Sequence, residues 1–218
     1  MIAEIVSLIK REIYSEWKQK YAFGGVLLYV VSTVFICKLS FADISDPLTW
    51  SALFWIIILF ASVNAVAKSF LQETKGRLLY FYTLASPQAI ILSKMIYNLL
   101  LTLVLTFACY FLYVVFLGNP IANQSLFIAT VILGCSGFSC VLTLVSAIAA
   151  KTNNNFTLMA ILSFPIILPL IMTLIKLSKY AIENISLSVC WSYLLILAMI
   201  NLVVIILSYL LFPYLWRD

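Results

Sequence analysis

A serine between two glycines is the first arrangement in this sequence that could do chemistry: Gly134-Cys135-Ser136-Gly137. The order is that of an intramembrane serine hydrolase, whose hydroxyl attacks a carbonyl after losing its proton to a base. The usual base is histidine, and the chain contains none. The same absence removes histidine as a haem ligand, a metal ligand or a proton carrier. No Gly-x-x-x-x-Gly-Lys-Ser/Thr run occurs either, so ATP is not held through a P-loop. Around Ser136 stand Gly134, Gly137, Ser139, Cys140, Thr143 and Ala147, small residues that let helices approach closely in lipid. Packing is the better reading of the motif.

The remaining polar residues offer structure before catalysis. Cys37, Cys109, Cys135, Cys140 and Cys190 show no Cys-x-x-Cys spacing and lie in or beside apolar runs, where cysteine acts as a small hydrophobe. Cys37 and Cys190 both lie near the outer face, where a disulfide is chemically possible, but the sequence gives no geometry for one. Asn64 precedes Lys68 by one turn and Asn98 follows Lys94 by one turn. A helical hairpin would bring the two amides to similar depth, where a mutual hydrogen bond satisfies both in lipid, worth about 0.6–2 kcal/mol. Lys94 can extend its ammonium toward the headgroups, so its charge need not be functional. Pro165 and Pro169, one turn apart, each remove a backbone donor, so their helix is expected to be broken or kinked, with a moving gate as one use.

The elements that must position these residues are dictated by hydropathy. The chain has 218 residues, 65% of them hydrophobic and 10% charged. That is too few charges to cover a soluble core. The apolar residues come in runs of about 20, enough to cross a hydrocarbon layer as a helix. Stretches such as Phe54 to Phe60 lack the alternation of a barrel strand. Six spans are expected: about 23–39, 49–67, 90–117, 126–150, 156–175 and 191–212. Residues 1–22 form a separate unit, with Ile2, Ile5, Val6, Ile9, Ile13 and Trp17 on one stripe of an amphipathic helix lying in the membrane interface. Residues 23–218 form the transmembrane domain. Nucleic acid is not an expected partner, because the net charge of +5 comes from residues flanking the spans.

The segment between spans two and three, about 68–88, is too charged to cross lipid and too aromatic for a plain solvated loop. It reads Leu71-Gln72-Glu73-Thr74-Lys75-Gly76-Arg77-Leu78-Leu79-Tyr80-Phe81-Tyr82-Thr83-Leu84-Ala85-Ser86-Pro87. Such a segment lies in an aromatic belt at the surface or docks into a partner. Together with Ile91-Leu92-Ser93-Lys94-Met95-Ile96-Tyr97-Asn98 it resembles the CcmB family, the haem-exporter protein B permeases of cytochrome c maturation. Ser163-Phe164-Pro165-Ile166-Ile167-Leu168-Pro169-Leu170-Ile171 is similar to that family's second signature. The resemblance covers essentially the whole chain.

It implies an all-α, ABC-2-type permease subunit of the bacterial inner membrane that is not itself an enzyme. ATP would act through a separate ATP-binding subunit, and Glu73, Arg77, Tyr80 and Tyr82 would lie at or near the contact with it. It also implies a haem-handling membrane protein and a periplasmic haem chaperone as partners, two permease copies per complex, and haem as a candidate cargo. No metal or directly bound cofactor is expected. The alternatives from residues alone are an exporter of lipid, polysaccharide or drug, and a membrane scaffold without transport.

Orientation follows from the basic residues: 10 of the 13 fall on the amino-terminal side of the six-span arrangement. Positive residues favour the cytoplasm, which puts both termini there. Reporter fusions after Asp46, Lys75, Gln124, Asn154 and Glu183 should alternate outside and inside, starting outside. An exported fusion after Lys75 would overturn this topology.

Overall fold

The computed structural model describes residues 2–18, 20–41, 46–66, 70, 85–151 and 156–217. Among them the chain forms seven α-helices: α1 (Ile2–Lys18), α2 (Lys20–Ser40), α3 (Pro47–Val66), α4 (Pro87–Leu117), α5 (Gln124–Lys151), α6 (Phe156–Ile182) and α7 (Leu187–Arg217).

Local chemistry sets several of the boundaries. Pro47 and Pro87 open α3 and α4, where a missing N–H removes no helix bond. Asp46 caps α3: its Oδ2 accepts from Thr49 Oγ1 at 2.6 Å and from Thr49 N at 2.8 Å. These bonds, the side-chain one foremost, hold the exposed Asp46 carboxyl below the usual carboxylate range. Asn123 caps α5 by accepting from Leu126 N at 3.1 Å. At the end of α6, Asn184 takes a positive φ of 53° and Ile185 N donates back to Tyr180 O at 3.0 Å, the helix stop that asparagine tolerates.

α3, α4, α5, α6 and α7 are each long and apolar enough to cross a membrane, and α2 contributes a shorter apolar helix, Gly24–Ser40. Contacts at the helix ends show how the elements alternate. At one end of the bundle Phe35 of α2 meets Phe116 of α4, and Trp50 of α3 meets Tyr113 of α4 and Phe127 of α5. There too Asn123 N donates to Ala181 O at the close of α6, at 2.8 Å. At the other end Phe70, just beyond α3, packs on Phe212 toward the close of α7, with ring centroids 5.7 Å apart.

α5 is the central helix. Eighteen of its 28 residues are buried, and α3, α4, α6 and α7 all pack on it. Among its described side chains α2 buries the stripe Val26, Val30, Val34 and Cys37 and leaves Leu28, Phe35, Ile36 and Leu39 exposed. Outward apolar residues of this kind, continued by Phe111 on α4, Ile161 on α6 and Trp191 on α7, suit a hydrocarbon surrounding. Several polar residues face inward and tie helices together. Trp55 Nε1 donates to Ser178 Oγ at 2.8 Å, and Ser139 Oγ donates to Met95 O at 2.8 Å. All five cysteines are free and buried.

The glycines of α5 are contact points. A Cβ on Gly134 would stand 2.7 Å from the Trp55 ring, and one on Gly137 would collide with Leu170 and stand 2.8 Å from Asn201 Oδ1. Ser136 is part of the same seam, donating to Leu133 O and accepting from Asn201 Nδ2, both at 2.8 Å. Its hydroxyl therefore joins α5 to α7. Gly137→Leu should destabilise the bundle by about 3 kcal/mol or more through overpacking. Ser136→Ala should cost about 1 kcal/mol or less, because Asn201 keeps its bond to Leu133 O. Thermal midpoints of the detergent-purified variants check this order, and abolished function in a normally stable Ser136→Ala would revive a nucleophilic role.

Candidate functional site

Glu73, Arg77, Tyr80 and Tyr82, which the resemblance assigns to an ATPase contact, lie outside the described residues. The flanks of their segment, however, are held by specific interactions. Phe70 is buried between Lys94 and Phe212. At the far flank Ser86 occupies the N-cap position of α4 in an extended conformation, yet its side chain makes no capping bond. Its hydroxyl donates instead to Glu4 Oε2 on α1 at 3.2 Å. One helix turn of α4 is thus left uncapped by a side chain so that α1 can be fastened to it.

A second contact fastens α1 in the same sense. Lys94 Nζ lies 3.3 Å from Glu12 Oε1, with the lysine side chain 3% exposed and the glutamate 19%. Glu4 and Glu12 are eight residues apart on α1, as are Ser86 and Lys94 on α4. Equal spacing means that α1 runs alongside the first turns of α4 in the same direction. Lys94 thus has a partner within the protein: its ammonium meets the Glu12 carboxylate of α1, a contact the sequence did not suggest. Taking both charges out of water is costly, and removing one partner from such a pair costs roughly 3–5 kcal/mol. The Phe70 ring, 4.7 Å from Nζ, adds a cation–π contact.

On α1, Glu4, Arg11 and Glu12 are partly buried together with Ile5, Leu8 and Ile9, whereas Val6, Lys10, Ile13 and Tyr14 are exposed.

The amide pair expected from the sequence does not form. Asn64 lies on an exposed part of α3, while Asn98 is buried and donates through Nδ2 to Thr143 Oγ1 of α5 at 2.8 Å. Depth was matched in the hairpin, but the two residues point around their helices in different directions. Pro165 and Pro169 both lie on the exposed face of α6, which runs through them without a break. Each proline forfeits a single backbone donor, and the surrounding turns keep theirs.

The sequence reading missed the Glu4–Ser86 and Glu12–Lys94 contacts, though the two equal spacings were visible. It also missed an aromatic cluster at the opposite end of the bundle. There Trp50, Phe54, Tyr110, Tyr113 and Phe127 pack with centroids 4.8–6.3 Å apart. Tyr113 also donates to Trp50 O at 3.2 Å. These rings are bundled on three helices and act as packing.

Membrane-length apolar helices around a buried central helix, with polar groups turned inward, define a multi-pass helical membrane protein. The model of the CcmB protein family matches residues 3–214, and the chain belongs to that family. No curated individual protein gives a significant match. The family supplies the membrane component of the haem-export ABC system of cytochrome c maturation, a transport permease subunit and not itself an enzyme. It works with the CcmA ATPase and other Ccm components.

The two amides give a direct comparison of buried with exposed polarity. Asn98→Leu should destabilise the protein by about 1–2 kcal/mol by stripping Thr143 of its donor, whereas Asn64→Leu should change stability by no more than about 0.5 kcal/mol. Equal shifts in the thermal midpoint for both variants would contradict the placement of Asn98.

Proposed function

We propose that this chain is the permease subunit of a bacterial inner-membrane ABC-type complex in which a separate subunit hydrolyses ATP. The hydrolysis drives haem delivery, or release of a haem-loaded periplasmic chaperone, for cytochrome c maturation. The observation that carries this reading is the family match over residues 3–214, which includes the aromatic segment 68–88. In the proposal, six spans, α2 to α7, cross the membrane in an ABC-2-type arrangement with both termini in the cytoplasm. Support comes from the alternation of helix ends and from the basic residues gathered at one side. α1 lies in the interface with Val6 and Ile13 toward lipid, while Glu4 and Glu12 hold it to α4.

Segment 68–88 is the ATPase contact. Glu73 and Arg77 supply charge, and Tyr80 and Tyr82 supply area that a groove on the partner can bury. Tyrosine and arginine are the residue types that commonly dominate such interfaces. The flanks at Phe70 and Ser86 are anchored to the bundle, so a push on this segment meets a fixed frame rather than a free tether. Pro165 and Pro169 mark the helix whose geometry changes as cargo or chaperone is released. Two copies of the permease complete the complex beside a haem-handling membrane protein, with haem as cargo.

The double variant Arg77→Ala/Tyr80→Ala should insert and fold normally but bind the ATPase subunit about 30-fold more weakly, equivalent to about 2 kcal/mol. Co-purification from membranes measures this, with c-type cytochrome levels falling in parallel. Retention of the ATPase at wild-type stoichiometry would remove the segment from the contact. Bound haem in the purified complex, read by absorbance, separates this pathway from export of lipid, polysaccharide or drug.

A further inference from the structure

α3 carries an amide on its outer side. Asn64 is exposed, stands third from the end of the helix and has no hydrogen-bond partner among the described residues. Phe60 and Ile56, one and two turns earlier, continue the exposed stripe with hydrocarbon. Asparagine has a single methylene between backbone and amide, so it cannot carry its polar group along the helix to the headgroups as lysine does. In lipid such an amide stays unpaired unless another helix meets it.

α6 has the opposite surplus. Pro165 and Pro169 have no N–H, so the carbonyls of Ile161 and Pro165 lose the helix donor four residues on. Ile161, Pro165 and Pro169 are all exposed, and so are Phe164 and Leu168 between them. Two backbone acceptors are thus left without a donor from their own helix on its outward side.

Both features belong to one face. α3 packs on α2, α4, α5 and α6, and α6 packs on α3, α5 and α7, so their outward sides adjoin on the perimeter of the bundle. Trp55 of α3 and Ser178 of α6 join the two helices. The close of α3 and the start of α6 lie at the same end of the bundle. Counted from those ends at 1.5 Å per residue, Asn64 and Ile161 differ in depth by about one helix turn. A face with an unused donor beside unused acceptors is complementary to itself. About a two-fold axis along the membrane normal, α3 of one copy meets α6 of the other, and the reverse contact comes with it. Depth is matched because both copies have the same orientation in the bilayer. A lipid chain offers neither donor nor acceptor.

We propose that the outward face of α3 and α6 is where a second copy of this chain packs, with the Asn64 amide of each copy donating to Ile161 O, the carbonyl freed by Pro165, in the other. This rests on the reading that two copies complete the complex, and adds the surface they share.

The test follows pairing of the full-length chain in phosphatidylethanolamine–phosphatidylglycerol vesicles. Copies labelled at the carboxy terminus with a donor or an acceptor dye report it by energy transfer over a range of protein-to-lipid ratios. Asn64→Leu should weaken pairing by about 3- to 10-fold. Pro165→Ala gives Ile161 O a donor within its own helix, so it should weaken pairing by a similar factor while raising the thermal midpoint of the chain. Those opposite signs separate a contact between copies from damage to the fold. Phe111→Ala, on the outward side of α4, should leave pairing within about twofold. In membranes holding the complete complex, irradiation of Phe60→benzoylphenylalanine should give an adduct of twice the chain's mass, which covers the case of a variant that does not insert. Adducts with lipid alone, or with a different subunit, overturn the proposal. So does a chain that stays single at every ratio, or a Pro165→Ala chain that loses stability together with pairing. Pairing unchanged in both Asn64→Leu and Pro165→Ala removes this face while the two-copy reading stands. A complex purified with its ATPase that holds one copy removes that reading and this inference with it.

Discussion

Hydrocarbon offers no hydrogen-bond partner, so a polar side chain at membrane depth must find one on a neighbouring helix. That constraint explains why α5 lies at the centre. Its serines, threonines and glycines face its neighbours, and two of these bring an amide to meet it: Asn98 from α4 to Thr143, and Asn201 from α7 to Ser136. α3 and α6 are joined beside it through Trp55 and Ser178. Such bonds are modest singly, averaging about 0.6 kcal/mol in membrane bundles. Their larger effect is on register, because a helix that rotates or slides leaves a donor stranded in lipid. Close approach at Gly134 and Gly137 sets the distances at which those bonds can form.

The same constraint separates what could be read from the sequence from what could not. Helix positions were legible because span length and apolar composition fix them almost independently of partners. The fifth span ran longer than expected, to Ile182, since Lys176 and Lys179 near its end suggested a boundary that the helix simply passes. Rotation about each helix axis was not legible. Asn64 and Asn98 were placed at matching depth, yet one faces outward and the other faces α5, a difference set by which helix wins the central position. The small residues of α5 were recognised as a packing face, and they do pack. Lys94 illustrates the opposite failure. A lone lysine near a span end has a cheap local solution in the headgroups, and only a contact from a distant part of the chain reveals another.

The sequence has no P-loop run and no histidine, and the family to which it belongs is a transport permease that works with the CcmA ATPase. In such a division of labour the permease needs a stiff path from one end to the other. The two flanks of segment 68–88 are tied to different helices, Phe70 to α7 and Ser86 to α1. At the opposite end the interlocked rings of Trp50, Phe54, Tyr113 and Phe127 join α3, α4 and α5. Among the described residues, one end carries charged, polar and aromatic contacts between α1, α4 and α7, and the other a dense aromatic cluster.

The partners Glu12 and Lys94 are 82 residues apart in the chain. The carboxylate is therefore synthesised before the ammonium that it meets in the folded protein. A charged lysine costs free energy in an apolar helix unless its charge finds a partner. Here the partner lies on α1, so α4 receives its counter-ion from a stretch of chain that is translated before it.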